Sequence, residues 1–267
     1  MDPKLFDSRI ALFQGDSLTV LRELPDGHVD AVVTDPPYSS GGQSTTARKA
    51  APEDKYQHSS VKRRFPAMLG DNKDQRSHLA WAALWLSECW RIAKDGSPLL
   101  VFSDWRQIPV MTDAVQAAGW TWRGLVVWEK PSARPMRGQF RAQAEYVLFA
   151  TKGRHERATD RCLPGVFRHS VNTARKVHLT SKPEALMREL LEVSKAGGTV
   201  LDPFMGGGTT GLACKETGRG FIGIELSTEY YEIATARLVD ALSENSRTHA
   251  QQRAGRRLHN PRPAFSS

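Results

Sequence analysis

Apolar positions along the chain fall in short runs that alternate with stretches of helical period. Ser8–Phe13, Asp30–Thr34, Pro98–Phe102, Trp120–Trp128, Tyr146–Thr151, Thr199–Leu201 and Gly220–Ile224 read as strands, several of them continuous apolar runs. Between them, helical spacing predicts helices at Thr19–Leu24, His78–Lys94, Gln107–Ala118, Gly211–Thr217 and Thr228–Leu242. In the second of these, Trp81, Trp85, Cys89 and Ile92 share one face and are expected in the core. A further helix, striped by Leu186, Leu190 and Val193, is expected to be capped by Thr180 or Ser181, with Pro183 in its first turn. Strands alternating with helices predict an α/β fold with a mainly parallel sheet covered on both faces. Residues 1–245 are expected to form one domain, and 246–267 a disordered basic tail. Residues 39–77 have no sustained period and read as a long loop.

Composition narrows the class. Of 267 residues, 40% are hydrophobic and 25% charged, which excludes wholesale disorder. No apolar run approaches the ~18 residues of a membrane span, and the first residues lack a signal-peptide layout. Cys89, Cys162 and Cys214 are scattered, which excludes a disulfide framework and a paired-cysteine metal site; a reducing cytoplasm is the expected setting. The charge is more informative. Lys plus Arg is 37 against 29 acids, a net +8. It is concentrated: residues 123–176 hold twelve basic and four acidic residues. An anionic partner is expected.

Two motifs carry chemistry. The strand ending at Leu201 runs into Asp202-Pro203-Phe204-Met205-Gly206-Gly207-Gly208-Thr209 and then a helix, with Glu225 at the end of the next strand. Glycines let a backbone approach a ligand, a helix N-terminus offers free N–H groups, and an acid after the next strand can accept from both ribose hydroxyls. The alternative is a tight turn with no ligand. Gly-Lys-Ser/Thr is missing, so the loop is not a P-loop. The second motif is Asp35-Pro36-Pro37-Tyr38, at the end of the strand Asp30–Thr34. Asp35 and the Pro36 carbonyl can accept the two N–H bonds of an exocyclic amine, drawing its nitrogen towards a tetrahedral nucleophile, while Tyr38 stacks on the base. Its plain alternative is a proline-stiffened turn with a solvated acid.

Together, in this order, the motifs resemble the beta class of DNA amino-methyltransferases, which methylate adenine N6 or cytosine N4. The resemblance covers most of residues 10–240. It includes Gly15-Asp16-Ser17-Leu18, Trp128-Glu129-Lys130, Glu145-Tyr146-Val147-Leu148 and His178-Leu179-Thr180-Ser181-Lys182-Pro183. It implies a doubly wound, Rossmann-like methyltransferase sheet with circularly permuted motif order, and S-adenosylmethionine as cofactor. Asp35, Pro36, Pro37 and Tyr38 would be catalytic. Asp202, Phe204, Gly206, Gly208 and Thr209 would cradle the cofactor and Glu225 its ribose. Asp16 would meet its adenine amine, unless it simply caps a helix. Thr180, Ser181 and Lys182 would lie near its methionine carboxylate, although Lys182 reads equally well as a solvated residue. The recognition region, 129–177, is short, and the basic insertion 39–77 would share its task. Lys62, Arg63, Arg64, Arg134, Arg137 and Arg141 are the candidate contacts to double-stranded DNA, with Phe140 among the last three. A homodimer and a cognate restriction endonuclease are further partners the resemblance allows; a metal and a membrane are not expected.

The implied reaction is direct displacement at a flipped base. Methylation at cytosine carbon-5 uses a Cys that follows Pro in that family, and no cysteine here does. Asp rather than Ser at the first motif position favours adenine N6 over cytosine N4. RNA or protein-amide enzymes favour Asn there. A DNA-binding protein without activity is the reading from another class, and intact Asp35, Tyr38 and Glu225 argue against it.

Overall fold

The computed structural model describes residues 3–7, 9–39, 73–133, 135, 137–170 and 182–258. Lys62, Arg63, Arg64, Arg134, Thr180 and Ser181 lie outside them. The described strands are β1 (Lys4–Asp7), β2 (Ile10–Gln14), β3 (Ala31–Thr34), β4 (Pro98–Ser103), β5 (Thr121–Glu129), β6 (Ala144–Thr151), β7 (Val166–Arg168), β8 (Thr199–Asp202) and β9 (Gly220–Glu225). The helices are α1 (Ser17–Glu23), α2 (Gln75–Ile92), α3 (Ile108–Ala117), α4 (Glu184–Leu191), α5 (Thr209–Glu216) and α6 (Thr228–Leu258).

All the strands join one sheet in the order β1-β2-β9-β8-β3-β4-β6-β5-β7. From β2 to β4 every neighbour is parallel, and β5 also pairs parallel with β7. β6 is antiparallel to both β4 and β5, and β1 to β2. The inner strands β3 and β4 are buried at every position, as continuous apolar runs require of a sheet covered on both faces.

Alternate residues feed two cores. Val32, Leu99, Val101 and Leu201 pack with α1, α2 and α3 through Leu21, Trp85, Leu86 and Met111. Ala31, Val33, Leu100, Phe102 and Val200 pack with α4, α5 and α6 through Leu186, Leu190, Leu212 and Leu238. Asp74 opens α2 by accepting from the N–H groups of Arg76 and Ser77. The long loop therefore ends a little earlier than its lack of period suggested.

The crossover after β3 carries α2, whose core lies on one face of the sheet; the crossover after β8 carries α5, whose core lies on the other. The two neighbouring strands send their chains to opposite sides, which opens a crevice at their carboxyl ends. Both chemical motifs leave the sheet there.

Three expectations change. Pro183 is itself the N-cap of α4, which starts at Glu184. β1 and β7 were not expected; with four and three residues they are too short to show a period. α6 continues to Leu258, so residues 246–258 are helical backbone rather than disordered tail. Its added part is rich in Ala, Gln and Arg, good helix formers, and has no proline before Pro261. Among the described residues, no helix is long and apolar enough to cross a membrane.

Candidate active site

Asp35 follows β3 directly, and the prolines after it end the strand. The turn closes at Ser39, whose φ of 53° is the only positive value of a non-glycine among the described residues. Ser39 is held in it by the Gln107 amide, which donates to its carbonyl at 3.3 Å, and by the Lys73 N–H, which donates to its hydroxyl at 3.3 Å.

Around Asp35 lies a network of charges. The Tyr38 hydroxyl donates to Asp35 Oδ1 at 2.6 Å, and Lys182 Nζ donates to Oδ2 at 2.5 Å. Lys182 also faces Glu145 Oε2 at 3.4 Å. Glu145 Oε1 accepts from Lys130 Nζ at 2.8 Å. The Lys182 side chain is only 7% exposed, and its ammonium stands 5.0, 5.5 and 5.9 Å from the ring centres of Phe102, Tyr38 and Trp128. Lys182 is therefore not a solvated helix-end residue, and its charge points at Asp35.

Burial raises the Asp35 pKa; Lys182 opposes the rise and Glu145 adds to it. Burial works against the charges of Lys182 and Glu145 too, but their opposite partners prevail, so lysine is held above its usual range and glutamate below. Glu145 and Lys130 were quoted above only as members of family segments. No sequence pattern could reveal that both converge on Asp35.

On the neighbouring strand, Gly206 and Gly208 take φ values of 51° and 79°. A Cβ on Gly208 would lie 3.0 Å from the Ala234 methyl, so this turn needs glycine for both conformation and space. Glu225 Oε2 accepts from Gly206 N–H at 2.9 Å, and Oε1 from Ser227 N–H at 2.8 Å. Burial raises its pKa against these bonds. Each oxygen keeps a further lone pair for a hydroxyl donor. Phe204 packs on α2, its ring 5.4 Å from Trp81 and 5.1 Å from Trp85. Trp85 is fully buried as expected, whereas Trp81 is only partly covered and belongs to this wall of the crevice. Thr209 is the buried first residue of α5. Asp16 accepts from Thr19 N–H at 3.1 Å and so caps α1.

Asp202 has a different part from the one expected. It is buried, and its carboxylate accepts from the Thr34 hydroxyl at 2.7 Å, the Thr210 hydroxyl at 2.6 Å and Phe204 N–H at 3.1 Å. These donors engage both oxygens, so the side chain shapes the loop instead of facing a ligand. It also ties the glycine loop to Thr34, the residue before Asp35. Burial lifts its pKa to about 6, against the lowering effect of its hydrogen bonds. A raised carboxylate favours folding most below its unfolded pKa and loses that contribution as pH rises through about 6. The stability difference between wild type and Asp202→Asn should therefore shift in favour of the variant by ~3 kcal/mol between pH 4 and 7. Asp202→Ala should cost ~2–4 kcal/mol at neutral pH, because it strands three donors. Thermal melts of the three proteins across that range check both.

Arg141 differs as well. Its guanidinium donates to the carbonyls of Pro131 at 3.0 Å and Ala133 at 3.1 Å, closing its own loop, so it is committed to the backbone rather than held out for phosphate. Arg137 is exposed.

Proteins of known class share this sequence pattern and fold. A family model described as DNA methylase (N6_N4_Mtase) matches residues 29–236. The type II methyltransferase M.XycI of Xanthomonas campestris pv. cyanopsidis is 30% identical over 267 aligned residues, 85% of this chain and 87% of its own. Two solved structures share the fold. One is a complex of M1.HpyAVI with S-adenosylmethionine, with TM-score 0.63 and 24% identity over 86% of this chain and 98% of that one. The other is the PvuII DNA methyltransferase, described as cytosine-N4-specific, with TM-score 0.66 and 17% identity over 85% and 86%. The chain belongs to the N6/N4 family of DNA methylases. It is a site-specific DNA amino-methyltransferase, and its cofactor is S-adenosylmethionine.

Proposed function

We propose that the protein methylates the exocyclic N6 amine of an adenine flipped out of double-stranded DNA, by direct displacement. The observation that carries this reading is the Asp35 carboxylate, held at the carboxyl edge of β3 beside the glycine loop of β8. Asp at this position, where resembling cytosine-N4 enzymes more often have Ser, favours adenine.

S-adenosylmethionine supplies a methyl group activated on a sulfonium. Glu225 holds the ribose hydroxyls, and the backbone of Gly206 and Gly208 admits the ligand closely. Phe204 and Trp81 wall the pocket, and Asp16, besides capping α1, would meet the adenine amine. Asp35 and the Pro36 carbonyl accept from the target amine, so that its lone pair leaves the ring and points at the methyl carbon. On accepting the methyl group the nitrogen would become cationic and lose a proton to solvent, with Asp35 and the Pro36 carbonyl still accepting from it. The Asp35 carboxylate, itself held by the Tyr38 hydroxyl and Lys182, is the aimed negative group beside the nitrogen as that charge develops. Arg137, with the basic segments on either side of it, holds the DNA backbone, so affinity should fall steeply with salt.

Labelled methyl transfer to unmethylated plasmid DNA, followed by nucleoside digestion and mass spectrometry, tests this. N6-methyladenine is the expected product. N4-methylcytosine would overturn the choice of base and leave the displacement geometry in place. Label in neither base would overturn the reading.

A further inference from the structure

The loop between β5 and β6 is tied together at its base. Lys130 N–H donates to the Gln143 carbonyl at 2.6 Å, and Ala133 N–H to the Lys130 carbonyl at 3.1 Å. The Arg141 bonds to Pro131 and Ala133 span it, and Gly138 turns it with a φ of 68°. Immediately before this anchored arginine, Phe140 projects entirely into solvent, with a relative exposure of 102%.

A single exposed apolar residue is ordinary. The setting of this one is not. Residues 130–143 contain Lys130, Arg134, Arg137 and Arg141 and no acid. β5 runs in the same direction as β3 and β4, so the loop leaves the sheet at the edge that carries Asp35. Its first residue, Lys130, holds Glu145, which faces both Lys182 and Tyr38, the two partners of Asp35. A phenyl ring is thus held out on a braced, positively charged loop rooted in the catalytic network.

We propose that Phe140 is the wedge of this enzyme: it enters the base stack beside the target and replaces the stacking lost when the target base swings into the pocket. The proposal rests on the flipped-base reading above. Aromatic and aliphatic wedges of this kind unstack a step at an energetic cost, and the cost of extrusion is least when the base is already mismatched. Arg141 then serves as a positioning residue that sets the ring, while Arg137 meets the backbone.

The test compares wild type, Phe140→Ala and Phe140→Trp on synthetic duplexes bearing the site that wild type methylates in plasmid DNA. One duplex is fully paired, and the other carries a mismatch opposite the target base. Equal binding of labelled S-adenosylmethionine by all three proteins establishes that the variants are folded. Phe140→Ala should lose roughly 10- to 100-fold in kcat/KM on the paired duplex and only a few-fold on the mismatched one. Phe140→Trp, which keeps an aromatic face, should recover most of the loss. Equal losses on both duplexes, or none on either, would overturn the wedge while wild-type activity upheld the underlying reading. A wild type that methylates no DNA would overturn both.

Discussion

Asp35→Ala should lower single-turnover methyl transfer by about 10³-fold or more, the scale on which aimed electrostatic groups act. The variant should still bind labelled S-adenosylmethionine and DNA within a few-fold of wild type. The Asp202 clamp lies behind Asp35, on Thr34, and the glycine loop does not use the lost carboxylate. Lys182 keeps Glu145 as a counter-ion. Asp35→Asn retains an oxygen that can accept from the amine and should fall between the two. Comparable rates for wild type and Asp35→Ala would sink the assigned role.

Lys182→Met should produce the second large effect, and a different one. It leaves Asp35 in a buried site with a like charge nearby and no cation in contact. Removing one member of a buried pair costs ~3–5 kcal/mol, which for a chain of this size lowers the melting point by about 10 °C. The direction with pH follows from the shifts. The Asp35 pKa is already raised by burial with Lys182 opposing, so loss of Lys182 sends it higher. The acid limb of the kcat profile should move up by at least about one pH unit, with activity partly restored in alkaline buffer. The Lys182 pKa is itself raised, so the stabilising contribution of the pair is complete at neutral pH and lost only as pH climbs through that elevated value. The stability gap between wild type and variant should narrow there. It should also narrow in acid, where the stranded Asp35 becomes neutral. Rate profiles and melts across pH check these directions; an acid limb that stays in place would show that Lys182 does not govern Asp35.

The sequence disclosed the parts of this site that are local. Asp35 to Tyr38 and the glycine loop announce themselves because a strand, a forced stop and a ligand-facing backbone are contiguous in the chain. The inner strands were legible for a similar reason: burial on both faces demands unbroken apolar runs. The charge network was not. Lys182 reaches Asp35 across a separation of 147 residues, and nothing in a Lys-Pro dipeptide says where its ammonium points. Asp202 and Arg141 misled in the same way. Each has the residue type expected of a ligand-binding group, yet each is taken up by donors or acceptors of its own protein. The short outer strands escaped because three or four residues hold no period, and the end of α6 because Arg-rich sequence suits a helix as well as a tail.

The pairing of β3 with β8 has a metric consequence. Neighbouring strands lie ~4.8 Å apart, whatever their sequences. The last residues of β3 and β8, Thr34 and Asp202, are therefore side by side, and Asp35 and the glycine loop leave the sheet from neighbouring positions of one edge. The Thr34–Asp202 bond locks the two strand ends together at the base of the crevice. The backbone ladder thus sets the spacing of the two motifs, and their order in the chain has no bearing on it.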